Sequence, residues 1–183
     1  LSRPCFTEYE AINRAATWAK VTGGRVYIVH MSASESAEIV ARAKNENVKI
    51  WAETCPQYLL LTDEVFKREN GHLFGTCPQI KKKHDAAGLL AAVKKGTLEI
   101  LATDTCSFNT RQKSMWQGDF TKIPFGMPGL ETLLPTMYSH LVVKNKLSLN
   151  KFVSLTSTNP AKLFGLYPKK GAIKQGSDAD IVI

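Results

Sequence analysis

The run Arg25-Val26-Tyr27-Ile28-Val29-His30 decides how the rest of the chain is read. Its centre is continuously apolar and rich in β-branched residues, as expected for a strand buried on both faces rather than half-solvated. It ends on a histidine. Upstream, Thr7-Glu8-Tyr9-Glu10 has the spacing of a capping box, and an apolar-periodic helix runs from it to Thr22-Gly23-Gly24. Downstream, residues 34–44 read as a helix and Val48-Lys49-Ile50-Trp51-Ala52 as a second strand, which ends at Glu53 and is broken by Cys55-Pro56. After a short helix at 63–69, Asp85 can cap a helix that runs through Lys95, and Gly96 supplies its left-handed end. The third strand, Leu98-Glu99-Ile100-Leu101-Ala102-Thr103, ends on Asp104. Strands and helices alternating in this way predict parallel strands joined by right-handed crossovers, in an α/β sheet or barrel.

Residues 105–128 are long and irregular, which in a compact domain marks a functional loop more often than an idle connection. Helical stretches follow at 130–144 and 149–165. The last residues change character: Gly171-Ala172-Ile173 and 179–183 are short strand-like pieces around Gln175-Gly176-Ser177-Asp178, and belong to another sheet. Thr54-Cys55-Pro56-Gln57 recurs as Thr76-Cys77-Pro78-Gln79, but in dissimilar surroundings, and reads as coincidence.

With 183 residues, 44% of them hydrophobic, the chain can bury one sizeable core, which excludes disordered and fibrous classes. It begins at Leu1 and stops inside a strand-like run, so both ends read as cut. No apolar run nears the roughly 20 residues that span a bilayer, and the first residues lack the layout of a signal peptide. Cys5, Cys55, Cys77 and Cys106 form no C-x-x-C pair, which fits reduced thiols in a cytoplasmic protein. The net charge of +8 falls in short groups, Lys81-Lys82-Lys83, Lys94-Lys95 and Lys169-Lys170, without interleaved aromatics. Solvated helix faces explain these better than nucleic-acid or membrane binding.

In a barrel, side chains at the C-terminal ends of the strands converge on one face. His30, Glu53 and Asp104 hold such positions. An imidazole and a carboxylate are suitable zinc ligands, and an aspartate beside metal-activated water can move its proton. The same residues also allow a bland reading: a hydrogen-bonded structural histidine, a turn cap at Thr103-Asp104-Thr105, and for Glu53 a supporting carboxylate.

At these positions the sequence resembles the cyclic amidohydrolases of the hydantoinase, dihydropyrimidinase and phenylhydantoinase group. The resemblance covers essentially the whole chain and rests on pieces in family order. They are Ser2-Arg3-Pro4, Tyr27-Ile28-Val29-His30-Met31-Ser32, Glu53-Thr54-Cys55-Pro56-Gln57-Tyr58-Leu59, Ala102-Thr103-Asp104, Ile123-Pro124-Phe125-Gly126-Met127-Pro128-Gly129, Thr158-Asn159-Pro160-Ala161-Lys162, and Gly171-Ala172-Ile173 with Asp178-Ala179-Asp180.

The resemblance implies a partial TIM (β/α)8 barrel of the amidohydrolase type over residues 1–168, followed by the start of a small β-sandwich domain over 169–183. It implies two zinc ions per full-length subunit, one bound by His30 and the other by Asp104, with Asp104 also the catalytic acid/base. The remaining ligands, an H-x-H pair, a carboxylated lysine and another histidine, lie in the family's N-terminal half. The reaction implied is opening of a hydantoin or dihydropyrimidine ring by zinc-bound hydroxide, in a cytoplasmic homotetramer. The alternative is a non-catalytic scaffold of the same fold. Three departures stand out: Thr105-Cys106 follows Asp104 where many relatives have histidine, Cys77 replaces a substrate-contacting serine, and Phe125 replaces a substrate-contacting asparagine. Cys77 and Phe125 are thus the candidate substrate-binding residues, and they favour a phenylhydantoinase-like branch.

Overall fold

A computed structural model describes residues 3–183. Helix α1 spans Cys5–Thr22 and ends on Gly23, whose φ of 69° closes the helix in the left-handed region open to glycine. It begins earlier than the capping-box reading puts it. Thr7 donates its hydroxyl to the Pro4 carbonyl, and Glu10 turns to Arg14 at 3.1 Å, so the reciprocal cap does not form.

Three parallel strands follow in the order β1-β2-β3, namely β1 Arg25–Met31, β2 Lys49–Thr54 and β3 Ile100–Leu101. Helix α2, Ser34–Asn45, crosses from β1 to β2, and α4, Lys83–Lys95, leads into β3. Between them lie the short helix α3, Pro56–Leu60, and 3₁₀ turns at Asp63–Lys67 and Gly71–Phe74. β3 is shorter than its apolar run suggests, although Glu99 N–H to Ala52 O and Ala102 N–H to Thr54 O, both 3.1 Å, continue its pairing on either side.

The core sits between sheet and helices. Met31, Val40, Ala52, Leu89, Val93, Leu98 and Leu101 are buried there, and Leu141, Phe152 and Leu155 from the later helices close the same cluster. Removing such a side chain costs both transfer energy and the cavity it leaves, about 2–5 kcal/mol for Leu89→Ala. The loop at 105–128 contains a short helix, α5 at Thr110–Lys113, and 3₁₀ turns at Ser114–Trp116 and Phe120–Lys122, and is closed at its ends by a bridge between Thr105 and Met127. The two stretches expected as continuous helices are α6, Leu133–Met137, and α7, Leu149–Val153, each running into a wider π-helical segment (Tyr138–Val143 and Ser154–Thr158); the second leads on into α8, Asn159–Leu163.

The C-terminal strands expected from the sequence do not form. Residues 171–173 and 179–183 are not strands. A strand exists through its ladder, and no other described segment pairs with these residues. They are tied back instead by Asp178 N–H to Lys169 O at 2.9 Å and by Lys170 to Asp178 and Asp180. Among the described residues, no helix is long and apolar enough to cross a membrane.

Candidate active site

His30, Glu53 and Asp104 lie at the C-terminal ends of adjacent strands, as their positions after apolar runs predict. Their backbone is less predictable. His30 has φ 41° and Asp104 φ 50°, in the left-handed region that residues other than glycine rarely enter. Such conformations cost about 1–3 kcal/mol each and persist only where surroundings impose them, most often at functional sites.

At His30 the imposing feature is a bulge. Ile28 pairs with Ala52 and Met31 with Thr54, so β1 carries one more residue than β2 over this stretch. The His30 N–H bonds instead to the Glu53 carboxylate, at 3.1 Å from Oε1. The other Glu53 oxygen accepts the Tyr27 hydroxyl. Burial and this carboxylate raise the Tyr27 pKa, so the phenol stays a donor. Glu53 is only 8% exposed, and it emerges as a supporting carboxylate.

Asp104 is half-buried, and burial raises its pKa above the ordinary carboxylate value while the neighbouring His30 pulls it down. His30 is thus near enough to Asp104 to favour its charged form. Thr103 Oγ1 accepts the Thr105 N–H at 3.3 Å, so the turn is capped by Thr103 and the Asp104 carboxylate is not used for that purpose. Among the described residues the hydrogen bond of His30 is made by its backbone, so both ring nitrogens stay available. One imidazole nitrogen and one carboxylate, both half-buried at neighbouring strand ends, suit a borderline-soft divalent cation. No third donor joins them among the described residues.

The candidate substrate positions lie on two loops held against each other. Gly126 N–H and the buried Lys113 ammonium both bond to the Gly75 carbonyl at 2.9 Å, and the Tyr58 hydroxyl bonds to the Pro78 carbonyl at 2.9 Å. Burial lowers the Lys113 pKa. Gly126 has φ 149°, and a Cβ there would lie 2.4 Å from Cys106 Cβ, so only glycine fits this contact. Cys77 is exposed with its sulfur against the Arg3 guanidinium, which also sits 5.8 Å from the Phe125 ring centre. A cavity of about 250 Å³ lies behind these loops, lined by Thr76, Gln79, Trp116, Ile123 and Phe125 but not by His30 or Asp104. His72 stacks on Trp116 at 5.5 Å, His84 is exposed and His140 is half-buried, all away from the strand ends.

Cys5, Glu35 and Asp85 form a group that the sequence does not announce, their ligand-type atoms lying within 4.8 Å of one another. Asp85 is already engaged there. Its Oδ1 accepts the Ser34 N–H at 3.0 Å and its Oδ2 the Lys82 N–H at 3.1 Å, which makes it a joint between α2 and α4. Burial and then Asp85 raise the Cys5 pKa, which keeps this thiol protonated.

The sequence pattern of the amidohydrolase family matches residues 9–183. The chain is similar to a D-hydantoinase of Geobacillus stearothermophilus, 42% identical over all of this chain and 40% of the relative. It is similar to a D-phenylhydantoinase of Escherichia coli, 38% identical over all of this chain and 40% of the relative. Among solved structures, a crystal structure of D-hydantoinase superposes with a TM-score of 0.95 at 41% identity, covering 97% of this chain and 39% of that one. The described fold is thus part of an α/β barrel of the amidohydrolase type. The chain spans about 40% of the length of these relatives.

Proposed function

The chain belongs to the amidohydrolase family, and from that premise we propose that the full-length protein opens a cyclic amide, a hydantoin or dihydropyrimidine ring, by metal-dependent hydrolysis of a carbon–nitrogen bond. The observation that carries this reading is the placement of His30 and Asp104 at neighbouring strand ends, both in left-handed backbone. Two zinc ions per subunit would polarise the ring carbonyl and lower the pKa of water to near neutrality.

In this reading His30 supplies a neutral nitrogen ligand and Asp104 an oxygen ligand to that centre. Asp104 has a second task. Its half-buried carboxylate accepts a proton from the attacking water and returns it to the leaving ring nitrogen. Cys77 and Phe125 border the ring, and the apolar Phe125 face suits an aryl-substituted hydantoin. Residues 1–168 contribute to the barrel and 169–183 lead into the β-sandwich, in a cytoplasmic homo-oligomer whose remaining ligands come from outside this chain.

The test is ring opening by the full-length protein, followed as loss of hydantoin or dihydrouracil absorbance. Asp104→Ala should abolish turnover of a substrate that the wild type opens. Near-normal hydrolysis by that variant would remove Asp104 from the mechanism.

A further inference from the structure

We propose that Glu53, braced by Tyr27, is the positioning residue that sets the left-handed backbone of His30 and so turns its imidazole toward Asp104. The inference rests on the metal-ligand role given to His30 above, and it deepens that role. It begins from the register: between the Ile28–Ala52 and Met31–Thr54 pairs, β1 has two residues and β2 has one. An extra residue in a ladder leaves a backbone amide without its strand partner. The Glu53 carboxylate supplies the acceptor for the His30 N–H, at 3.1 Å.

Glutamate is suited to this by reach. Its own residue lies on β2, paired with Ile100 of β3 on one side, and its side chain must span back to an amide on β1. The second oxygen is occupied by the Tyr27 hydroxyl, and the Tyr27 ring is fixed edge-on against Phe164 with centres 5.7 Å apart. A carboxylate only 8% exposed ordinarily pairs with a cation. Among the described residues no cation is paired with Glu53; two neutral donors, one from a backbone held at φ 41°, take that place. Groups that orient a ligand without touching the metal typically change metal affinity by about 10–100-fold when removed.

Reach and charge make opposite predictions, and this sets the experiment. In the full-length protein, zinc affinity is measured by chelator competition for Glu53→Gln, Glu53→Asp and Glu53→Ala, with metal-free crystal structures of the first two. Glu53→Gln keeps an oxygen at the same distance and should stay near wild-type affinity. Glu53→Asp keeps the charge but is one methylene shorter, and should weaken zinc about 10–100-fold, as should Glu53→Ala. In the metal-free structures His30 should keep its positive φ with glutamine and lose it with aspartate. If aspartate preserves affinity while glutamine does not, the role is electrostatic and the proposal is overturned. Equal affinity in all variants overturns it as well. Should Glu53→Ala not fold, the glutamine and aspartate variants decide alone. A wild type that binds no zinc would sink the proposed function, and the φ of His30 in the two metal-free structures would still decide this inference.

Discussion

Asp85 is 1% exposed and receives the Ser34 and Lys82 backbone amides, the Ser34 hydroxyl and, more distantly, the Cys5 thiol. Leaving a buried donor unpaired costs about 1–3 kcal/mol. Asp85→Ala should therefore lower the unfolding free energy of the full-length protein by about 3 kcal/mol in urea titration. A change within experimental error would show that water replaces the carboxylate easily. At this scale the sequence is legible where polarity follows an apolar run: His30, Glu53 and Asp104 each stand out in that way. It is not legible where a side chain chooses among partners. Thr7 and Glu10 have capping-box spacing, yet both bond elsewhere. Nor do residue types foretell the left-handed backbone of His30, because it follows from a bulge that exists only once two strands have paired.

Helix α2 shows the same division among elements. Its position is plain from the alternation of apolar runs, but its N-terminus lacks a local cap. The amides there are satisfied from other helices: Glu8 of α1 accepts the Ser32 and Ala33 N–H groups, and Asp85 of α4 accepts that of Ser34. Capping supplied across the fold leaves no trace in local spacing. The loop at 105–128 is recognisable from its length, whereas its docking on Gly75 through Gly126 and Lys113 is not. Gly126→Ala should displace that loop, since the added Cβ would meet Cys106 at 2.4 Å. We expect faster limited proteolysis within 105–128 and a raised KM for the ring substrate, with the fold retained. Unchanged cleavage and KM would show that the two loops are not coupled through this contact.

At the scale of the whole molecule, the three parallel strands have β1 and β3 at their margins, each with one strand neighbour among the described residues. Val29 of β1 is exposed, as are Phe6 and Trp18 on α1. Open edges and apolar faces of this kind pair with other chains. The isolated 183-residue chain should therefore self-associate in size-exclusion chromatography with light scattering and open no hydantoin. A monodisperse, active monomer would contradict this. The class of fold was accessible from alternation alone, because parallel pairing demands crossovers. The strand-like reading of 171–183 failed for a related reason: apolar alternation shows that residues can form a strand, while its formation depends on a partner. The candidate site is likewise legible only in part, since two donors on this chain do not make a complete ligand set.

If His30 and Asp104 are ligands of a hydrolytic metal centre, the full-length protein holds metal that is lost with them. The most direct test is zinc content of the purified full-length protein by plasma mass spectrometry, beside that of a His30→Ala, Asp104→Ala double variant. About two zinc ions per wild-type chain are expected, as in other two-metal hydrolytic sites, with a marked loss in the variant. A wild type without zinc, or a variant that retains all of it, would contradict these ligand roles.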